Sequence, residues 1–247
     1  MPESLFPTSI VEFAKTKFQS PLVIGGFAEA GLVGVGSVGY IIDRLDLHQV
    51  GFVRSEHIPP VAIFIGERLR RAFRIYSDKA GSLVVLICEV PMEIHGLYEI
   101  SSALIEWFGR IGASEVVVVD GIPVQGIPER RETYCVAEER RCKDLKSKGF
   151  RLAQSAMIGG LGGSILSECL GSEVTGSAIL TPTSVNIPDP GAVLSSIRAL
   201  NTLYNLKIET QDLENNVSKI NEYLKTLAEE HRKLEERKSA KEERIYG

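Results

Sequence analysis

Short runs of residues that are apolar almost throughout recur along the first half of the chain. An alternating pattern would indicate a strand with one solvated face, whereas an uninterrupted apolar run predicts a strand buried on both faces. Burial on both faces requires helices above and below the sheet, which restricts the fold to a few α/β architectures. We therefore predict central strands at residues 22–27, 50–53, 61–65, 83–90 and 115–119.

Segments with helical spacing of their apolar residues lie between and after these runs. The clearest are 32–45, 98–111 and 192–203. Alternation of strand and helix predicts a three-layer α/β/α sandwich with a mostly parallel central sheet. Residues 71–77 and 173–181 are expected to add strands, some of them antiparallel or at an edge. Asp189 is the predicted N-cap of the last helix, with Pro190 in its first turn.

A different pattern begins near Thr210, where glycine disappears until the final residue. Apolar residues then recur in alternating four- and three-residue steps, which predicts a helix with a heptad seam. Such a seam either pairs between chains as a coiled coil or packs as a single amphipathic helix, and the pattern fits both. The boundary predicts an α/β/α body at 1–208 and a charged helical tail at 209–247. The seam residues are Leu213, Val217, Ile220, Leu224, Leu227 and Leu234, with His231 at a further seam position.

The last residues of the tail combine a hydrophobe, a tyrosine and a terminal carboxylate. Lys238 and Lys241 occupy positions where the apolar seam would continue, so the helix has no apolar side chains with which to pack there. We expect Ile245, Tyr246 and Gly247 to be presented outward, where they can enter a pocket on another protein. The contrasting interpretations are a frayed terminus that contacts nothing, and a tail that only joins subunits.

Composition and charge exclude several classes of partner. The 247 residues are 44% hydrophobic and 24% charged with a net charge of −4, which is typical of a soluble globular protein. The densest basic segment, residues 130–148, is interrupted by acidic residues and reads as a solvated helix and its approach. We therefore expect neither nucleic acid nor a membrane surface as a partner.

The cysteines do not form a pattern that suggests a metal site. Cys88, Cys135, Cys142 and Cys169 contain no Cys-x-x-Cys pair and have no histidines at zinc-ligand spacing. We expect no metal and no cofactor, and we expect Cys88 and Cys169 to be core residues. Because the sequence also has no signal peptide pattern and no apolar stretch long enough to span a bilayer, we expect a reduced, cytoplasmic protein.

Acid–base side chains near one predicted sheet edge leave an enzymatic alternative open. Glu89, Glu93 and His95 follow a buried strand, Asp120 ends another, and open α/β sheets bind ligands at that edge. Glu29 and His57 lie in loops that can reach the same edge. The other interpretation is that these residues cap helices, bond loop amides or line a subunit contact. We assign none of them a catalytic role and predict a protein without enzymatic activity, with a phosphorylase- or hydrolase-like enzyme as the alternative.

Two glycine-rich loops have two interpretations. Neither has the spacing of a dinucleotide fingerprint or the Lys-Ser/Thr of a triphosphate loop. The loops at 31–34 and 160–163 therefore serve either close packing of a helix or binding of an anion by backbone amides. Ser164, directly after the second loop, is a candidate helix cap.

Four motifs in a fixed order carry a resemblance to a known family. They are the glycine-rich stretch 25–34, Val119-Asp120-Gly121, the loop 159–163, and Asp189-Pro190-Gly191-Ala192. Followed by a hydrophobic-Tyr-X terminus, they resemble the proteasome-assembly chaperone family, in particular its archaeal homologues, over residues 20–208. The sequence departs from many members at Ala28 and Glu29, where they have proline and glycine.

The resemblance implies a body related in shape to nucleoside phosphorylases and self-association into a homo-oligomer. It also implies ATP-independent docking on proteasome α-subunits, as an assembly chaperone, an activator or both. The resemblance implies that the carboxylate of Gly247 pairs with a lysine in a pocket of the α-ring. Tyr246 then fills an apolar slot and Ile245 covers the rim of the pocket.

Overall fold

A computed structural model of the chain describes residues 7–13, 16–65, 67–126, 128, 130–185 and 187–218. The chain divides into two compact units, Met1–Ile208 and Glu209–Gly247. The elements named below belong to the first unit. In the second unit, residues 211–218 are helical. No helix in the described ranges is long and apolar enough to cross a membrane.

The elements of the first unit follow one another as a mixture of strands and helices. The strands are β1 (Ser9–Glu12), β2 (Leu22–Phe27), β3 (His48–Arg54), β4 (Ala62–Ile65), β5 (Arg68–Arg71), β6 (Phe73–Ser77), β7 (Leu83–Cys88), β8 (Glu115–Val124), β9 (Tyr134–Ala137), β10 (Arg151–Leu152) and β11 (Gly176–Ser184). The helices are α1 (Val33–Arg44), α2 (Ile94–Arg110), α3 (Glu139–Ser147), α4 (Gly160–Cys169) and α5 (Pro190–Tyr204).

Nine of these strands form one mixed sheet in the order β1-β3-β6-β7-β2-β8-β11-β9-β10. The four adjacent strands β7, β2, β8 and β11 are parallel. On one side β6, β3 and β1 continue the sheet in antiparallel fashion, and on the other side β9 is antiparallel to β11. The short edge strand β10 is parallel to β9. The prediction of a mostly parallel sheet therefore holds for the four central strands but not for the whole sheet, because β3 and β6 are joined without a crossover helix.

Helices cover both faces of this sheet. On one face, α2 and α4 contact each other and pack on strand residues such as Val23, Leu86 and Val118 in one apolar core. Alternate residues of the same strands point the other way, and α1 and α5 contact each other and the central strands there. Ile24, Val117 and their neighbours on that second face are fully buried. The layers are therefore α/β/α, and a strand buried on both faces is apolar throughout, as the sequence indicates.

The prediction of a central strand at 61–65 is wrong. β4 pairs only with β5, in a separate two-stranded sheet. Phe64 and Leu69 face each other across this pair and are 69% and 75% exposed. The partner strand β5 reads Arg-Leu-Arg-Arg, and such a charged strand cannot be buried without pairing its charges. A short apolar run alone does not identify its partner strand, and here the partner decides its burial.

Of the two helix caps predicted from the sequence, the structure confirms one. The side chain of Asp189 accepts a hydrogen bond of 3.0 Å from the amide of Ala192, which confirms it as the N-cap of α5. Ser164 lies inside α4, so its prediction as a cap is wrong. Its hydroxyl is 2.8 Å from that of Ser101 and 3.3 Å from the carbonyl oxygen of Leu97, and it therefore joins α4 to α2.

The basic segment 130–148 is less solvated than its composition suggests. Arg131 donates through Nε to Asp189 at 2.9 Å, and Arg141 of α3 contacts Glu115 at 3.0 Å. Both guanidinium groups are mostly buried. Arg141 therefore attaches α3 to β8, and Arg131 attaches its segment to the start of α5.

Glycine brings α1 very close to the central strands. A β-carbon at Gly34 of α1 would lie 2.6 Å from the carbonyl oxygen of Val119 and 2.9 Å from the amide nitrogen of Phe27. Both neighbours are backbone atoms of the sheet, so neither can move aside without displacing a strand. Of the two interpretations of the first glycine loop, the structure supports close helix packing.

Substitution of Gly34 by alanine tests this packing. We expect Gly34→Ala to lower the free energy of unfolding by about 2–3 kcal/mol, because the added methyl overlaps backbone atoms of two strands. Gly39→Ala is a matched control in the same helix, where the nearest atom to an added β-carbon is 3.9 Å away. That control is expected to be neutral or to stabilise by about 0.5 kcal/mol through helix propensity. Equal effects of the two substitutions in urea denaturation would contradict the close-packing interpretation.

Candidate functional site

A cleft of about 1030 Å³ opens above the carboxyl-terminal halves of the central parallel strands. Glu29 and Ala30 follow β2 and line one side, and residues 120–123 of β8 form the floor. The segment 151–159, which comprises β10 and its connection to α4, lines the opposite side. The cleft therefore lies at the edge where open α/β sheets place their ligands.

Asp120 is the most buried acidic group of this cleft. It follows four buried valines in β8 and is only 9% exposed. Its Oδ1 accepts a hydrogen bond of 2.7 Å from the amide of the next residue, Gly121. Among the described residues no side chain donates to this carboxylate. Burial raises the pKa of Asp120 to about 7, the Gly121 amide opposes the rise, and the negative charge of Glu29 adds to it.

Glu29 lies beside Asp120 and against the start of α4. Burial raises the pKa of Glu29 above its ordinary value, and a hydrogen bond from the amide of Leu161 partly opposes that rise. Gly160 has a left-handed φ of +59°, and a β-carbon there would overlap the Glu29 carboxylate. The second glycine loop therefore directs one backbone amide, that of Leu161, at a carboxyl group. That carboxyl group is a side chain of the protein itself.

The two carboxyl groups define what the cleft can do chemically. Because burial, with a smaller contribution from the charge of Glu29, raises the pKa of Asp120 to about 7, this carboxyl group is partly protonated near neutral pH. Arg151 at the rim forms an ion pair with Glu132 at 2.7 Å, and it makes no hydrogen bond with the pair. Within the described ranges, no group of three or more His, Cys, Asp or Glu residues could hold a metal ion. The pair can accept hydrogen bonds from a ligand or exchange a proton with one.

The structure does not collect the other acid–base candidates in this cleft. Glu89 forms an ion pair of 2.7 Å with Arg74, whose side chain is almost fully buried. Glu93 and His95 are exposed at the start of α2. None of the three lines the cleft. Of the acid–base side chains that the enzymatic alternative requires at this edge, the structure brings together only Asp120 and Glu29.

The surroundings of His57, Cys88 and Cys169 indicate structural roles for these residues. The Nε2 of His57 is 3.2 Å from Oε2 of Glu99, well outside the cleft lining. Cys88 and Cys169 are buried in the core, as predicted. Burial raises the pKa of the Cys88 thiol to about 11 and that of Cys169 to about 12, so neither thiol is an activated nucleophile.

Sequence reasoning missed the far wall of the cleft. Tyr134, Arg151 and the stretch around Met157 line it, yet they lie in segments without a periodic apolar pattern. β9 and β10 are four and two residues long, too short to give a reliable signal. Their position opposite Asp120 depends on the pairing of β9 with β11, which only the folded chain shows.

The predicted tail site lies almost entirely outside the described residues. Leu213 and Val217 fall in the helical residues 211–218. The remaining seam residues Ile220, Leu224, Leu227 and Leu234, and the terminal residues Ile245, Tyr246 and Gly247, lie beyond them. The heptad seam and the docking terminus therefore remain predictions.

The order of the layers, the mixed sheet and the position of the cleft define an open-sheet α/β protein. The edge at which such proteins bind ligands lies above the parallel strands. Comparison with protein families narrows this class. The model of the PAC2 family matches residues 23–228, which is most of the chain. The chain belongs to the PAC2 family, and the family resemblance identified from the four motifs is confirmed.

Solved structures with the same fold include three archaeal proteins. A protein of unknown function from Thermoplasma acidophilum is 45% identical, with a TM-score of 0.76 over 90% of this chain and 92% of that one. PbaA of Pyrococcus furiosus, an archaeal homolog of proteasome-assembly chaperone, is 22% identical, with a TM-score of 0.79 over 90% of this chain and 97% of PbaA. PbaB of Pyrococcus furiosus, an archaeal proteasome activator, is 18% identical, with a TM-score of 0.80 over 90% and 99%. The likeness to PbaA and PbaB shows a shared fold.

The raised pKa of Asp120 predicts a stability that depends on pH. The folded protein holds a proton on this group between pH 4 and 7 that the unfolded chain releases, so stability falls as pH rises through that range. Asp120→Asn removes the ionisation and should be more stable than the wild type at pH 8.5, by up to about 4 kcal/mol. The difference should shrink toward pH 5. Urea denaturation at both values tests this, and an equal difference at both would show that Asp120 titrates normally.

Proposed function

We propose that this protein is an ATP-independent proteasome-binding protein of the cytoplasm that acts as an assembly chaperone, an activator or both. The observation that carries the proposal is membership of the PAC2 family. Two of its structural neighbours are an archaeal homolog of proteasome-assembly chaperone and an archaeal proteasome activator. The terminal Ile-Tyr-Gly sequence supplies a means of binding.

In this proposal the three terminal residues dock between neighbouring α-subunits of the proteasome ring. The Gly247 carboxylate pairs with a lysine, which gives a charge-assisted contact. Tyr246 buries its ring in an apolar slot with its hydroxyl hydrogen-bonded, and Ile245 covers the rim of that slot. The charged heptad segment from residue 210 onward carries these residues to the ring.

Self-association gives such a short tail its effect. Three residues bury too little surface for tight binding by one chain, because association must first overcome the loss of translational and rotational freedom. Several tails on one homo-oligomer act through effective concentration and raise the affinity by roughly 10²–10⁴-fold. We therefore propose a homo-oligomer, with the seam residues from Leu213 to Leu234 either between chains or on the body.

An enzymatic function finds less support than the binding function. Its predicted residues are divided between an ion pair with Arg74 and the exposed start of α2. Asp120 and Glu29 share a cleft but have no nucleophile within hydrogen-bonding distance among the described residues. We propose no catalytic activity for this chain.

Shortening or altering the tail tests the docking proposal. Binding to isolated α-rings and to complete core particles is measured without nucleotide, by surface plasmon resonance at two protein densities. We expect Tyr246→Ala to weaken binding by about 30-fold or more, because a buried aromatic anchor is lost. A form that ends at Arg244 should not bind measurably. Lys241→Ala is the matched control in the same segment and should retain binding.

Retained binding by the form that ends at Arg244 would contradict the docking proposal, since no terminal pocket contact would then exist. An equal loss for Lys241→Ala and Tyr246→Ala would also contradict it, because that result would point to a general effect of tail charge or length. Circular dichroism of each variant shows whether the body remains folded, so that unfolding is not mistaken for lost docking.

Peptide hydrolysis by core particles separates the two roles. An activator binds the open gate better than the closed one and therefore shifts the gate population. We expect an increase in hydrolysis of a short fluorogenic peptide that saturates with protein and disappears with Tyr246→Ala. Binding confined to free α-rings, without faster hydrolysis, would assign the protein to assembly instead. Neither binding nor faster hydrolysis would overturn the proteasome function altogether.

A further inference from the structure

The cleft contains more acidic than basic groups, and the proposed proteasome function does not involve them. Asp120 and Glu29 bring two carboxyl groups into one partly closed space. The charged and titratable groups that face them are Tyr134 and Arg151 on the opposite side, with Cys88 close enough for the charge of Glu29 to raise its pKa. Arg151 is bonded to Glu132, and Tyr134 and Cys88 carry no positive charge. The pair therefore lacks a cationic partner in the described part of the chain.

Asp120 has more accepting capacity than the protein uses. A carboxylate has about four acceptor positions, and here the described residues supply one donor, the amide of the adjacent Gly121. The residue is nine-tenths buried and lines the cleft. Burial of a carboxylate without a partner is costly, and a donor that enters from the cleft would offset that cost.

Glu29 contributes differently, because the protein already fixes one side of it. The amide of Leu161 at the start of α4 donates to its carboxylate, and the left-handed Gly160 leaves room for this approach. The contact orients Glu29 without neutralising it by a full charge. Glu29 and Asp120 therefore offer two acceptors to a ligand in the same cleft.

The walls of the cleft indicate what kind of cation fits. Ile122, Leu152, Ile158 and Leu180 give the sides an apolar character. A volume of about 1030 Å³ matches the upper range of pockets for organic ligands. A hydrated metal ion prefers a cage of oxygen ligands and makes no use of apolar walls. An organic group with a cationic end uses both parts of the site.

We propose that this cleft binds a small organic cation, an ammonium or guanidinium group on an apolar stem. The cationic end donates hydrogen bonds to Asp120 and Glu29, and the stem lies on Ile122, Leu152 and Ile158. Anionic ligands are disfavoured by repulsion from the two carboxyl groups. Neutral ligands of the same shape gain only the contacts with the walls.

Proton release accompanies binding. Asp120 holds a proton below a pKa of about 7, and a cation displaces that proton when it binds. The apparent affinity should therefore rise with pH and level off above 7, so that binding at pH 8 is about tenfold tighter than at pH 6. A structural role of Asp120 alone would not produce this dependence.

A set of matched probes with the full-length protein tests the proposal. The cationic probes are phenethylamine and 2-phenylethylguanidine, the neutral probe is 2-phenylethanol, and the anionic probe is 3-phenylpropionate. Binding is followed by isothermal titration calorimetry and by NMR shifts at pH 6 and pH 8. We expect the cations to bind saturably in roughly the millimolar range, as suits ligands of this size. The neutral and anionic probes should bind at least tenfold more weakly.

Variants assign the binding to the carboxyl pair. Asp120→Asn and Glu29→Gln should each weaken cation binding at least tenfold, and Asp120→Asn should remove the pH dependence. Glu106→Gln, at an exposed carboxylate of α2 outside the cleft lining, is the control and should bind as the wild type does. Should Asp120→Asn fail to fold, Glu29→Gln and the pH dependence of the wild type still decide the question.

Three results would overturn the proposal. The first is equal binding of the cationic, neutral and anionic probes, which would indicate an apolar pocket without charge selection. The second is unchanged cation binding in both cleft variants. The third is saturable binding of Mg²⁺ or Ca²⁺ that displaces phenethylamine, which would make the pair a metal site. None of these outcomes depends on the tail, so the proteasome-binding proposal stands or falls separately.

Discussion

The close backbone contact between α1 and the central strands determines the geometry of this protein. Gly34 allows the helix to approach Val119 and Phe27 without a side chain between them. The chain that enters α1 is consequently drawn across the top of β8, where a β-carbon at Gly121 would lie 2.5 Å from the carbonyl oxygen of Ala30. Glu29 precedes this contact by one residue, and Asp120 precedes Gly121 by one. The packing of one helix thereby places two acidic side chains in the same cleft.

Much of the body could be predicted from its sequence because local patterns and tertiary burial agree there. Residues 22–27 form β2 with the predicted bounds, and Asp189 caps α5 as its sequence indicates. The sequence-based predictions fail where the burial of a segment depends on residues that are distant in the sequence. The apolar run at 61–65 resembles a core strand, but its partner is the charged β5. Glu29 and Asp120 were predicted at a common edge, whereas the wall opposite them follows from the pairing of β9 with β11, which leaves no periodic signal.

The two proposed binding activities use chemically opposite features. Docking by the terminal residues depends on an apolar and anionic tip that enters a pocket elsewhere, and affinity there comes from several copies acting together. The cleft of the body instead offers acidic acceptors to a cationic group, and each copy binds independently. PAC2 membership bears on the first of these, while the second follows from the buried and underused carboxylate of Asp120. A protein with both would combine partner recognition with ligand recognition in a single chain.

The left-handed turn at Gly160 has an evolutionary consequence. Any side chain at this position would meet the carboxylate of Glu29 and would also face the strain of a positive φ. Residues 29 and 160 are far apart in sequence but act as one unit, so a change at one constrains the other. A lineage that acquires a side chain at position 160 must move the Glu29 carboxylate away from the Leu161 amide and accept the strain of a positive φ.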